Sequence, residues 1–293
     1  MKTDYILIVL AGILWGGIAL FVNVLDGIGF TSIEIVALRV WFSAIVIGIV
    51  LTIKNKRLPV MHIRDIGLFI GTGIVSIVAF NFCYFTTIQL SGVSVAALLL
   101  YTAPTMVMLI SVPVLHEKLN VQKVVSLLVV CLGLLFITGV LGSKETVTGK
   151  AVLFGLGSGL GYALYSIFGK FLVKKYDAYT ITFYTFVFAA MGVLPFVSVP
   201  HVLERLVSLK GISASLGIAT LCTVAPFICY TTGLKKVESS KASILATIEP
   251  LVASLVGIIV LKEAVSLHKV LGMGLILMAV VILNLNFNKK IRN

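Results

Sequence analysis

Apolar residues along this chain gather into ten runs of helical length, roughly 5–24, 33–53, 66–88, 93–115, 121–140, 151–173, 179–199, 212–234, 242–261 and 268–287. About 20 such residues carry a helix across the hydrocarbon core of a bilayer. The pattern therefore predicts an all-α integral membrane protein with ten transmembrane helices, and the mostly short polar connections predict one compact bundle. The longest connections are 54–65 and 200–211. In the second, Val202, Leu203, Leu206, Val207 and Leu209 alternate with His201, Glu204, Arg205 and Lys210, which predicts a short helix lying in the membrane interface. One run departs from the apolar rule in its middle: Ala242–Leu261 carries Glu249, followed at once by Pro250.

Composition agrees with a membrane chain. The 293 residues are 59 % hydrophobic and 12 % charged, with mean hydropathy +1.15, whereas ordinary globular domains carry about a quarter charged residues. Run 5–24 lacks a small-residue cleavage site before Asp26, so it is expected to be a retained first span. The net charge of +12 is explained by position. With the N-terminus cytoplasmic, sixteen Lys and Arg fall in inner segments (among them Lys54, Lys56, Arg57, Lys118, Lys235, Lys289, Lys290 and Arg292) and six in outer ones (including Lys144 and Lys269). That bias predicts both termini inside, in a cell membrane. It leaves the basic excess with no need of a nucleic acid.

A shift of 146 residues lays Cys83–Ile137 over Cys229–Leu283 without a gap, with identities that include Cys83/Cys229, Tyr84/Tyr230, Ser94/Ser240, Pro104/Pro250, Glu117/Glu263 and Lys123/Lys269. A shift of 147 matches Gly12 to Gly159 and Trp15 to Tyr162. The chain is thus expected to be two five-helix repeats, 1–142 and 143–293. Five is odd, so the two halves lie inverted in the membrane, an architecture of secondary transporters.

The residues Leu14-Trp15-Gly16, Leu38-Arg39, and the paired signatures Ala97…Pro104…Leu115-His116-Glu117-Lys118-Leu119 and Ser243…Glu249-Pro250…Leu261-Lys262-Glu263 resemble the drug/metabolite transporter superfamily, specifically its ten-helix EamA-type members. The likeness covers roughly 5–140 and 150–286; it departs in span seven, where no Arg answers Arg39. The resemblance implies a solute carrier of the cytoplasmic membrane, often an exporter of amino acids, other metabolites or toxic compounds. It also implies a central cavity lined by spans one, three, four, six, eight and nine.

A carboxylate inside a lipid-spanning helix is costly and by default faces the protein interior at a functional site. Glu249 is read as binding a cationic group of the solute or taking a coupling proton, against the plainer reading of a protonated or paired group that joins helices. Pro250, and Pro104 in span four, remove a backbone donor and are expected to interrupt their helices. Trp15, Asn81, Tyr84, Tyr101, Tyr162, Tyr165, Tyr230 and Thr247 are candidate cavity residues, suiting a solute with apolar and hydrogen-bonding parts; helix packing is the alternative for each. Arg39 has three readings: snorkelling outward, pairing with Glu34, or attracting an anionic group. Glu117 and Glu263 are expected to close helix termini by hydrogen bonding, in a gating or packing role.

Enzyme chemistry is poorly supported. The four His lie in loops or at span ends without metal-ligand spacing, Cys83, Cys131, Cys222 and Cys229 all sit in apolar runs, and neither a phosphate loop nor a GxSxG elbow occurs. No cofactor and no metal are expected. The expected function is secondary, non-ATP transport by alternating access, most simply export of amino acids or related amine-bearing metabolites, with proton coupling left open. The alternatives are multidrug efflux or a non-transporting membrane interaction protein. The expected partners are a small-molecule solute and the lipid bilayer, in a monomer or homodimer.

Overall fold

The protein is described by a computed structural model covering residues 2–55, 60–142 and 147–284. Of the basic residues used above to orient the chain, Lys56, Arg57, Lys144, Lys289, Lys290 and Arg292 lie outside the described residues. Among the described residues seven helices are long and apolar enough to cross a membrane, and three shorter apolar ones, Ala103–Leu115, Val121–Ile137 and Leu267–Leu283, complete the ten expected runs. The connection after span seven folds into the short helix Val199–Arg205.

Packing follows the repeat. Span one packs on spans eight and nine, while span six packs on spans three and four; spans two and seven pair, as do five and ten. Each bundle element of one half is thus answered by its counterpart in the other. The buried core is apolar and runs through both halves, from Ile8 and Trp15 to Leu245 and Ile276.

The helices that matter for function are irregular in matching places. Span three carries a widened, π-type turn at Gly71–Ala79, and span eight carries one at Thr220–Val224, within the counterpart stretch. Such turns offset the backbone ladder and often accompany functional sites. Span four begins after non-helical Ser91 and Gly92, the latter at φ 79°. It then breaks at Tyr101–Thr102 before Ala103–Leu115. Span nine breaks at Thr247, between Ser239–Ala246 and Ile248–Ile259.

Both breaks have one chemical cause. Pro250 has no N–H to give the carbonyl of Ala246 four residues back, and Pro104 has none for Leu100. The freed carbonyls are met by glycines on neighbouring spans. A Cβ at Gly12 would lie 3.0 Å from Ala246 O, and one at Gly159 would lie 3.3 Å from Leu100 O. Backbone therefore approaches backbone at both breaks, which only glycine permits here.

Candidate functional site

Glu249 sits in the first turn of the half-helix Ile248–Ile259, whose unpaired N–H groups favour negative charge. Its carboxylate accepts a hydrogen bond from the Tyr162 hydroxyl at 2.9 Å. Tyr101, across the break in span four, also interacts with it. The second break is thus a carboxylate presented by an open helix end to two tyrosines from the first break and from span six.

The carboxylate opens onto a cavity of about 80 Å³, several times the ~10–15 Å³ that one water requires. Trp15, Tyr162, Tyr230, Phe80 and Phe227 form its aromatic walls, and Arg39 reaches in from span two. Trp15 stacks edge-on against Phe227 with ring centroids 5.4 Å apart, and Tyr230 lies at the same distance. Tyr165 and Ser166 line the cavity as well, and hydrogen bonds hold this wall: Tyr165 and Thr231 share one of 2.8 Å, and Ser166 and Tyr230 one of 2.7 Å. Spans one, three, four, six, eight and nine all contribute, and span two adds Arg39.

Arg39 is neither snorkelled nor paired with Glu34. Its Nε donates to Thr223 Oγ1 at 2.8 Å, and Thr223 is held in the widened turn by donating to Ile218 O at 2.8 Å. Glu34 is instead taken up by the short helix Val199–Arg205: His201 Nδ1 lies 3.1 Å and Arg205 Nη1 3.9 Å from its carboxylate. Among the described residues no direct ion pair joins Arg39 to Glu249, although each lines the same cavity and feels the other's charge. Two further polar atoms there are buried without a protein partner among the described residues, Trp15 Nε1 and Ser76 Oγ. Buried donors and acceptors are normally satisfied, so a solute or water that bonded them would be favoured.

Other candidates lie elsewhere. Asn81 is buried and donates to Ile77 O at 2.7 Å, one turn back on its own helix, and does not line the cavity. Thr247 donates to Ile244 O at 2.6 Å and completes the break. Tyr84 lies near enough to feel Glu249 but lines the aromatic run Phe80–Phe85, outside the cavity wall. Sequence reasoning missed Phe80, Phe227, Ser76, Ser166 and Thr223. Ser166 was findable, since it follows Tyr162 by four on one helical face; the others depend on the widened turns, which leave no mark in hydrophobic periodicity.

Comparison with known proteins accounts for nearly the whole chain. The EamA-like transporter family matches residues 2–139 and again 149–285. This chain belongs to that family. An uncharacterized transporter of Archaeoglobus fulgidus is 32 % identical over 279 residues, covering 94 % of each chain. The uncharacterized transporter YoaV of Bacillus subtilis is 26 % identical, covering 86 % of this chain and 87 % of its own. A solved crystal structure at 17 % identity superposes with a TM-score of 0.80 over 96 % of this chain and 98 % of the other, a likeness of fold alone. The protein is therefore a multi-pass membrane transporter of the EamA type.

Proposed function

We propose that this EamA transporter carries a small zwitterionic metabolite, an amino acid or close relative, through the central cavity by alternating access. The observation that carries the reading is the presence of one carboxylate and one guanidinium, Glu249 and Arg39, unpaired with each other in one aromatic-lined chamber. An amine would take Glu249, a carboxylate would take Arg39, and the rings would take an apolar side chain. Multidrug efflux is the weaker reading, because a lipophilic cation entering this chamber would meet Arg39. We read the direction as export on the resemblance, both termini as inside on the Lys and Arg distribution, and the boundary between repeats near 142 on the 146-residue internal match. Glu249 also serves as the proton site if transport is coupled, since a mid-membrane carboxylate is the natural relay.

The test is a thermal-stability screen of the detergent-purified protein against amino acids, polyamines, nucleosides, sugars and lipophilic cations. A ligand binding only the folded form stabilises it by about 2.7 kcal/mol at a hundredfold excess over Kd. Stabilisation by amino acids, lost when either the amine or the carboxylate of the ligand is blocked, is the expected outcome. Stabilisation by lipophilic cations alone would overturn the zwitterion reading in favour of multidrug efflux.

A further inference from the structure

The ends of spans four and nine present two carboxylates in the same way. His116 and Lys262 both adopt the left-handed conformation, at φ 55° and 59°. The amide of the following residue then bonds back in each case, Glu117 N to Ser111 O at 3.2 Å and Glu263 N to Gly257 O at 3.0 Å. These are counterpart residues under the 146-residue shift, so the backbone device is identical in the two halves.

What the carboxylates do differs. Glu117, 6 % exposed, accepts from the amides of Ser239 at 2.5 Å and Ser240 at 3.1 Å and from the Ser240 hydroxyl. It thereby ties the end of span four to the start of the half-helix Ser239–Ala246. Buried Lys123 completes the junction, 3.7 Å from Glu117 and 3.3 Å from Glu238. Glu263, 49 % exposed, is paired with Lys269 at 2.8 Å and otherwise folds over Gly257 of its own span. The packing differs in the same sense. The half-helix Ser239–Ala246 packs on spans four, five and six, whereas among the described residues the helix containing its counterpart, 93–100, has no comparable packing on spans nine, ten or one.

We infer that Glu117 and Glu263 are alternate latches, and that Glu263 captures the Val93 and Ser94 amides and the Ser94 hydroxyl when the bundle tips to its other face. In the structure the Glu117 end is closed and the Glu263 end is open. On the orientation proposed above, the cavity therefore faces outward. Ser94 matches Ser240 and Lys269 matches Lys123, so the second junction has the carboxylate, hydroxyl and cation of the first. Inverted repeats exchange conformations as a carrier alternates, and each junction would hold one face shut. This inference rests on the alternating-access reading but not on the identity of the solute.

The test uses single-cysteine reporters on counterpart positions, Ala97→Cys and Ser243→Cys, with the four native cysteines replaced, in the full chain reconstituted into liposomes. Labelling by a water-soluble maleimide is read without solute, alongside counterflow of the solute found by screening. A97C should react quickly and S243C slowly. Glu117→Gln should reverse that preference by about tenfold or more, the scale of losing charge-assisted hydrogen bonds. Glu263→Gln should keep S243C protected and slow counterflow by a similar factor with solute affinity retained. A Glu263→Cys/Ser94→Cys pair should form a disulfide under mild oxidation. Wild-type counterflow in Glu263→Gln, or no cross-link in the pair, would overturn the Glu263 latch. Unchanged labelling in Glu117→Gln as well would overturn alternating access itself.

Discussion

The breaks in spans four and nine share a proline, a freed carbonyl and a glycine that meets it, yet only one of them bears a charge. At the second break Glu249 faces Tyr162 and the cavity. At the first, its counterpart Ala103 is 1 % exposed and packs with Val107, Ala163 and Ile167. The repeat explains why the breaks come as a pair, and the difference at one position, Ala103 against Glu249, explains why only the second carries a carboxylate. The fold has made two helix-end pockets and filled one with hydrocarbon.

The largest effect is expected of Ala103→Glu. A carboxylate there would be buried among aliphatic side chains, and an unpaired buried charge costs several kcal/mol. The variant should fail to give a monodisperse peak in detergent; a normal yield would mean that the first break is as hospitable to charge as the second. Next comes Gly16→Ala, whose Cβ would lie 2.6 Å from Val252 Cβ and 2.9 Å from Glu249 O. Forcing span one off the break should cost about 1–3 kcal/mol and lower the melting temperature. Gly274→Ala, whose Cβ would meet nothing within 4 Å among the described residues, should not destabilise. If both behave alike, the close approach at Glu249 is not a tight one.

Much of this architecture was legible in the chain. The ten runs, the internal match and the lone Glu-Pro pair pointed to span nine, because a bilayer makes hydrophobic length and intramembrane charge conspicuous. The location of the break was nearly legible as well: Pro250 names the carbonyl that loses its partner, Ala246, and the turn forms at the next residue, Thr247. The fate of Arg39 was not. Local spacing suggested Glu34, but Glu34 is claimed by His201 and Arg205 from a helix more than 160 residues away, and no periodicity encodes a partner at that distance. Asn81 is placed off the cavity lining for the opposite reason, since a mid-span amide can bond its own preceding turn.

Smaller effects grade the site itself. Tyr162→Phe removes a hydrogen bond to a carboxylate, worth about 1.5–3 kcal/mol for a charged acceptor, and should weaken solute affinity roughly tenfold or more by the same principle. Tyr230→Ala should weaken affinity less steeply, because its hydroxyl is already bonded to Ser166 and makes no contact with Glu249 of the kind Tyr162 makes. Tyr84→Ala should have the least effect, being outside the wall. Saturation binding on the purified variants checks the order. A Tyr84 effect exceeding that of Tyr162 would move the site toward span three.

The most direct measurement is solute counterflow in proteoliposomes containing Glu249→Gln beside the native protein, at matched protein density and across a pH series. The side chain keeps its size and loses its charge. The account predicts that counterflow is abolished while the variant elutes and melts as a folded protein. Normal counterflow by Glu249→Gln at every pH would contradict it, and would return this carboxylate to the role of a group that merely joins helices.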